Sequence, residues 1–198
     1  MEEIFTNTTK KDSSKNNSSN QQKEKTNAVE ENTGVSGESN NVTSALVENE
    51  IIQTLSQEEQ DILEIKKNYS VILPVKGVKT SGFGERESTN SKVTKNHTGI
   101  DIATTQGTSI KSATDGKVIQ VSSSGDYGKH IRVQINDLVV LYAHCSKISV
   151  KEGQEIKQGE EIGAVGSTGN STGPHLHFEL KFHDRLVNPE KIVEVLEF

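Results

Sequence analysis

Six histidines stand in a chain that is otherwise poor in reactive side chains: His97, His130, His144, His175, His177 and His183. Two groups have spacing that suits a metal. In His97-Thr-Gly-Ile-Asp101 an imidazole precedes a carboxylate by four residues. Side chains of an extended strand alternate with period two, so positions i and i+4 share a face and aim at one point. In His175-Leu-His177 two imidazoles share one face while Leu176 and Phe178 take the other. That arrangement is costly unless something binds the imidazoles. Neutral imidazole nitrogen and carboxylate oxygen are zinc ligands, and a catalytic site keeps one position open for water. His97, Asp101 and one of the pair His175/His177 would supply three ligands and leave one histidine for proton transfer. A third element, Leu141-Tyr-Ala-His144, puts Tyr142 and His144 on one strand face. His144 is then a second general acid/base, or it orients its partner through a hydrogen bond. Taken without the other two motifs, His144 reads better as a half-buried strand histidine bonded to a carbonyl. Cys145 faces the other way and reads as a small buried residue, not a ligand. His130 and His183 fall outside these motifs and read as exposed strand or loop histidines.

The elements that must position these groups are short and β-like. From about Val71 the chain is β-branched and glycine-punctuated, with 14 of its 16 glycines between Gly77 and Gly173. Alternating segments at Lys117–Val121, His130–Ile135, Leu138–His144 and His177–Phe182 are separated by turn signals such as Ser123-Ser-Gly-Asp126 and Asn136-Asp137. The run Val150–Gly163 spaces its glycines as tight turns between very short strands do. Residues 71–198 therefore read as one all-β domain, a compact antiparallel sandwich or small barrel. The turns around Gly153–Gly163 also suit a biotinyl or lipoyl carrier, but Lys151 and Lys157 lack the Met or Asp neighbour of an attachment lysine.

Residues 1–70 differ. Within 6–45, 23 of 40 residues are Ser, Thr, Asn or Gln, too little apolar surface to offset chain entropy, so 1–45 reads as a disordered polar linker. In 46–70, Leu46, Ile51, Leu55, Ile62 and Leu63 recur at roughly helical spacing. Ser56 and Glu59 form a capping-box pattern that would start a helix at Gln57, and this segment reads as one or two helices docked on the domain or on a partner. All of the net charge of −6 resides in residues 1–70. The neutral remainder has no basic stripe, which argues against nucleic-acid binding. No run of 18 apolar residues spans a bilayer, and one cysteine excludes a disulfide framework or a Cys₄ zinc module. Met1-Glu2-Glu3 followed by a polar tract reads as a start placed after a removed segment, so any membrane attachment would come from a segment absent from this chain.

The motifs also occur in a recognisable order. Asn96-His-Thr-Gly-Ile-Asp101, Ala113-Thr-Asp-Gly-Lys-Val118, Tyr127-Gly128, Tyr142-Ala-His144, Gly153-Gln-Glu-Ile-Lys157, Gly166–Phe178 with its Gly-Pro-His-Leu-His-Phe ending, and Asn188-Pro189 resemble the LytM/lysostaphin-type zinc metallopeptidases over roughly residues 80–190. The resemblance implies a compact antiparallel β domain with zinc in a groove between loops. It assigns His97, Asp101 and His177 as zinc ligands, and His175 and His144 as catalytic histidines. It implies a zinc-dependent endopeptidase that cuts stem peptides or cross-bridges of peptidoglycan through a zinc-activated water. A location outside the cytoplasm, in the cell envelope, follows. One departure bears on turnover: Glu87–Asn96 holds no tyrosine, where several members carry one before the first zinc histidine. A second reading comes from the layout of linker, helical segment and single domain, which resembles stage II Q-type sporulation proteins of endospore formers. It implies a weakly catalytic or non-catalytic envelope scaffold at the forespore membrane, whose domain binds a mother-cell membrane protein in the intermembrane space.

Overall fold

The computed structural model describes residues 48–85 and 95–193. The polar linker expected over 1–45, and most of the Glu87–Asn96 stretch, lie outside the described residues. Residues 48–54 are helical (α1), and Ser56 caps a second helix, α2 (Gln57–Asn68). The capping box is formed as its residue types predict. The Ser56 hydroxyl accepts from the Glu59 N–H, and the Glu59 carboxylate accepts from the Ser56 N–H at 2.8 Å. The α2 helix buries Ile65 and Asp61, and Tyr69 just past its end meets the Phe182 ring edge-on at 5.8 Å.

Thirteen strands follow among the described residues. β1 (Val78–Ser81), β2 (Gly84–Glu85), β3 (Asn96–His97), β4 (Ile100–Ala103) and β5 (Ser109–Lys111) precede the long pair β6 (Gly116–Ser123) and β7 (Lys129–Ile135). β8 (Leu138–Ala143), β9 (Lys147–Ile148), β10 (Glu155–Ile156), β11 (Glu161–Ala164), β12 (His175–Phe182) and β13 (Arg185–Val187) complete the set, followed by a 3₁₀ turn at Pro189–Lys191. Eight strands form one antiparallel sheet in the order β1-β4-β12-β8-β7-β6-β10, with β13 paired to the end of β12. The three-stranded sheet β5-β11-β9 packs over it, and β2-β3 is a small separate ribbon. The fold is all-β with two short helices at its start, as expected.

Alternation along the strands decides which face is core. Leu176, Phe178, Leu180 and Phe182 of β12, Ile131 and Val133 of β7, and Ile110 and Ile162 of the small sheet are fully buried in one apolar cluster. Burial of such side chains contributes about 1.5–3 kcal/mol each. The partner positions of β12, His175, His177 and Glu179, lie on the opposite face of the large sheet and carry the polar site.

Candidate metal centre and active site

Cross-strand register brings the first two groups together. Asp101 on β4 stands directly opposite His177 on β12, and His177 stands opposite Ala143 on β8. Opposed residues of an antiparallel pair share a face, so carboxylate and imidazole point to the same place. His97 arrives differently from the expectation of one extended strand. It ends β3, which belongs to the separate ribbon, and a turn at Thr98-Gly99 leads into β4. The turn presses on β12 so closely that a Cβ on Gly99 would lie 2.2 Å from the Phe178 carbonyl oxygen. Only glycine fits there, and the tight passage delivers the His97 ring beside Asp101.

Three acceptor atoms converge. Asp101 Oδ1 lies 3.1 Å from His97 Nε2 and 2.8 Å from His177 Nδ1, and the two ring nitrogens are 3.0 Å apart. Bonds of ~2.0–2.1 Å in tetrahedral geometry set zinc ligands about 3.3 Å apart, so the triangle has the size of one ion's coordination face. The outer partners of the rings say the same. His97 Nδ1 faces the Gly82 carbonyl at 2.6 Å, and a carbonyl has no hydrogen to give, so Nδ1 carries the proton. His177 Nε2 faces Glu179 Oε1 at 2.8 Å and donates to it. In the neutral form that binds a metal, the imidazoles turn lone pairs toward each other and toward the Asp101 carboxylate. Three ligand atoms so close together, two of them ring nitrogens whose protons are turned outward, suit a cation among them.

The electrostatics agree. Burial would raise the Asp101 carboxyl, but His177 and His97, which donate to it when protons rather than a metal ion fill the cluster, outweigh burial and hold the group far below the ordinary carboxylate range. Burial would lower His177, yet the Asp101 and Glu179 carboxylates on either side push it up to about 8. The pocket favours positive charge, whether proton or metal ion.

The other two histidines line the same spot. His175, two residues before His177 on the same face, has Nε2 3.7 Å from Asp101 Oδ1, and its Nδ1 donates to the Gly173 carbonyl at 2.8 Å. The His144 ring stacks beside it at 4.7 Å and donates from Nδ1 to the Thr168 carbonyl at 2.8 Å. With Nδ1 committed to a carbonyl, each ring leaves Nε2 as the nitrogen turned toward the site. Burial, reinforced by the neighbouring His175 and His177, lowers His144 to about 4, so it is neutral at pH 7. The expected common face of Tyr142 and His144 is not what occurs. β8 ends at Ala143, and His144 takes φ +61°, which swings its ring into the site. Tyr142 stays fully buried, packs on Phe178 and accepts a hydrogen bond from the Ala113 N–H at 2.7 Å. Its neighbour Cys145 is buried, as read from sequence. His130 is not the exposed histidine expected of it: it is 5% exposed and donates to the Gly128 carbonyl at 3.0 Å.

Three functional neighbours escaped the sequence reading. Glu179 accepts from His177, from the Tyr127 hydroxyl at 2.6 Å and from Thr98. These bonds hold its carboxyl below the usual range against the opposing effect of burial. They also fix the His177 tautomer. Extending the period-two pattern of His175 and His177 by one step reaches Glu179. Tyr127, from a loop before β7, stands in one of the motifs of the family resemblance, but without a role assigned to it.

Residues 95–189 match peptidase family M23. Over 136 residues the chain is 38% identical to the DD-carboxypeptidase/endopeptidase Mpg of Neisseria meningitidis serogroup B, covering 68% of this chain and 31% of that protein. Among solved structures, the catalytic domain of a point mutant of the prophage-encoded M23 protein EnpA of Enterococcus faecalis is 38% identical with a TM-score of 0.52. The match covers 59% of this chain and 94% of that one. A zinc-containing peptidase from Vibrio cholerae is also 38% identical, with a TM-score of 0.54, over 58% of this chain and 37% of that one. The chain belongs to peptidase family M23. It spans under a third of the length of the curated relatives it matches.

Proposed function

We propose that the chain is a zinc-dependent endopeptidase that cleaves peptide bonds in peptidoglycan stem peptides or cross-bridges, acting in the cell envelope outside the cytoplasm. The observation that carries this reading is the triangle of His97 Nε2, Asp101 Oδ1 and His177 Nδ1, closed to 2.8–3.1 Å with the ring protons turned outward. The donor set of two imidazoles and one carboxylate suits zinc. Support for the substrate comes from relatives named as peptidoglycan DD-endopeptidases. No helix among the described residues is long and apolar enough to cross a membrane.

A zinc ion in this triangle supplies Lewis acidity, polarising the scissile carbonyl and acidifying water toward a pKa of about 7. The rest falls to the chain's own groups. His175 and His144 each have Nδ1 committed to a backbone carbonyl, so each offers Nε2 to take a proton from water. The same nitrogens then return it to the departing amine. Glu179 keeps His177 oriented by accepting its Nε2–H.

The test is incubation of the full chain with purified cell wall and zinc, with His175→Ala alongside. New amino termini released by the wild type alone support the peptidase. Zinc binding at one ion per chain without release by either protein would instead favour the scaffold reading, in which the domain holds a partner membrane protein.

A further inference from the structure

Beyond Glu179 a groove of about 790 Å³ runs over the outer face of the large sheet. Its floor follows one cross-strand row: Glu179 on β12 pairs Leu141 on β8, Leu141 pairs Arg132 on β7, and Arg132 pairs Gln120 on β6. This row lies two residues along β12 from His177, about 7 Å at the rise of a strand. The charges of the groove are nearly all committed. Glu179 accepts from His177, Tyr127 and Thr98. Glu152 accepts the Val121 N–H at 2.9 Å, and Asp184 pairs with Lys181 at 3.1 Å.

Arg132 is the exception. Its guanidinium donates to the neutral Gln120 side chain and lies 5.7 Å over the Tyr127 ring. Among the described residues no carboxylate forms an ion pair with it. A guanidinium carries five N–H donors in a planar fork that matches a carboxylate. Here the fork is half-buried and braced by an amide and an aromatic face, with most of its donors unspent. Tyr127 in turn lies 5.7 Å from the His177 ring. Two contacts of this length in series reach at most about three and a half residues of extended peptide at about 3.3 Å each.

We propose that Arg132 is a specificity-determining residue whose guanidinium receives a free carboxylate of the peptide substrate, within about three residues of the bond addressed by the site. The assignment rests on the peptidase reading for the identity of the substrate, but the carboxylate preference is readable by binding alone. Among the described residues Arg132 is the groove's one cation without an acidic partner, and it thus selects stem peptides with free carboxylates over amidated ones.

The probe is a synthetic peptidoglycan stem pentapeptide with its carboxylates free, compared with the same peptide amidated. Titration calorimetry on the zinc-loaded full chain is expected to show the free acid binding 10- to 100-fold tighter than the amide, in line with a charge-assisted pair. Arg132→Gln should erase that ratio and leave amide binding within twofold. Arg132→Lys should retain part of it, because charge survives and the fork does not. Thermal unfolding confirms that both variants fold. Equal binding of acid and amide by the wild type overturns the proposal, as does a ratio that persists in Arg132→Gln. Cleavage is scored separately on purified cell wall. Discrimination here with no release of amino termini from purified cell wall sinks the peptidase reading and leaves the Arg132 assignment standing, whereas release without discrimination does the reverse.

Discussion

Two carboxylates withdrawn from solvent are treated in opposite ways. Asp61 of α2 has a side chain 4% exposed, and it is met by Arg185 in a two-point fork, Nε to Oδ2 at 2.8 Å and an Nη to Oδ1 at 2.7 Å. Gln57 adds a third donor at 3.0 Å. Asp101 has a side chain 16% exposed, and it meets two imidazoles whose protons point elsewhere. The first cluster is closed: every acceptor has a donor, and its role is to tie α2 to β13. The second gathers one carboxylate and two ring nitrogens at the spacing of metal ligands. Satisfied polar groups hold a fold together, and converging acceptors mark where the chain takes something in.

The sharpest way to break this contrast is Asp101→Ala. Zinc content should fall from one ion per chain to near zero, and release of amino termini should drop to background. Chelation should also distinguish the proteins. With zinc at 100–1,000 times its dissociation constant, the wild type should lose about 2.7–4.1 kcal/mol of stability on chelation, and the variant nothing. Unchanged zinc content in Asp101→Ala would remove the basis for the open cluster.

Next come the two histidines outside the triangle of His97, Asp101 and His177. His175→Ala and His144→Ala should each slow cleavage by about 10²–10⁴-fold while zinc content stays at one. Loss of zinc together with rate would mean the ring in question is a ligand. A smaller effect is expected at Glu179→Gln, which keeps an oxygen for the His177 proton but removes its charge. Zinc affinity should weaken by about 10–100-fold in a competitive chelator titration. A variant that binds zinc as tightly as the wild type would show that Glu179 serves the groove rather than the ion.

Local patterns foretold some of this arrangement and not the rest. The shared face of His175 and His177 was legible because β12 runs regularly for eight residues, and period two holds along it. The helix start was legible because Ser56 and Glu59 satisfy each other across one turn. His97 and Asp101 meet for a reason that spacing does not encode. The passage through Gly99 depends on the Phe178 carbonyl, about 80 residues away in sequence. His144 likewise leaves the alternation of β8, because the loop carrying Thr168 crosses it. That loop is packed so tightly on Gly128 (φ +58°) that a Cβ there would lie 2.4 Å from the Thr168 carbonyl carbon. A site made by loops crossing strand ends is set by tertiary contact, and local periodicity is silent on it.

The closed cluster gives the mildest test. Asp61→Asn keeps the shape of the side chain and one acceptor but loses the charge facing Arg185. Because the Arg185 side chain is 46% exposed, solvent screening keeps the cost to about 1–2 kcal/mol, with zinc content unchanged. The pH dependence fixes the cause. Hydrogen bonds from Arg185 hold Asp61 below its ordinary value, partly opposed by burial. A carboxyl whose folded pKa is depressed contributes stability that is fully present above the unfolded value of about 3.9, and it loses that contribution as pH falls through the folded value. Thermal unfolding of wild type and Asp61→Asn should therefore differ at pH 7 and converge as the pH is taken below 4. A gap of constant size across that range would mean that Asn disturbs the packing of α2 rather than its charge, and the closed cluster would then be a matter of shape alone.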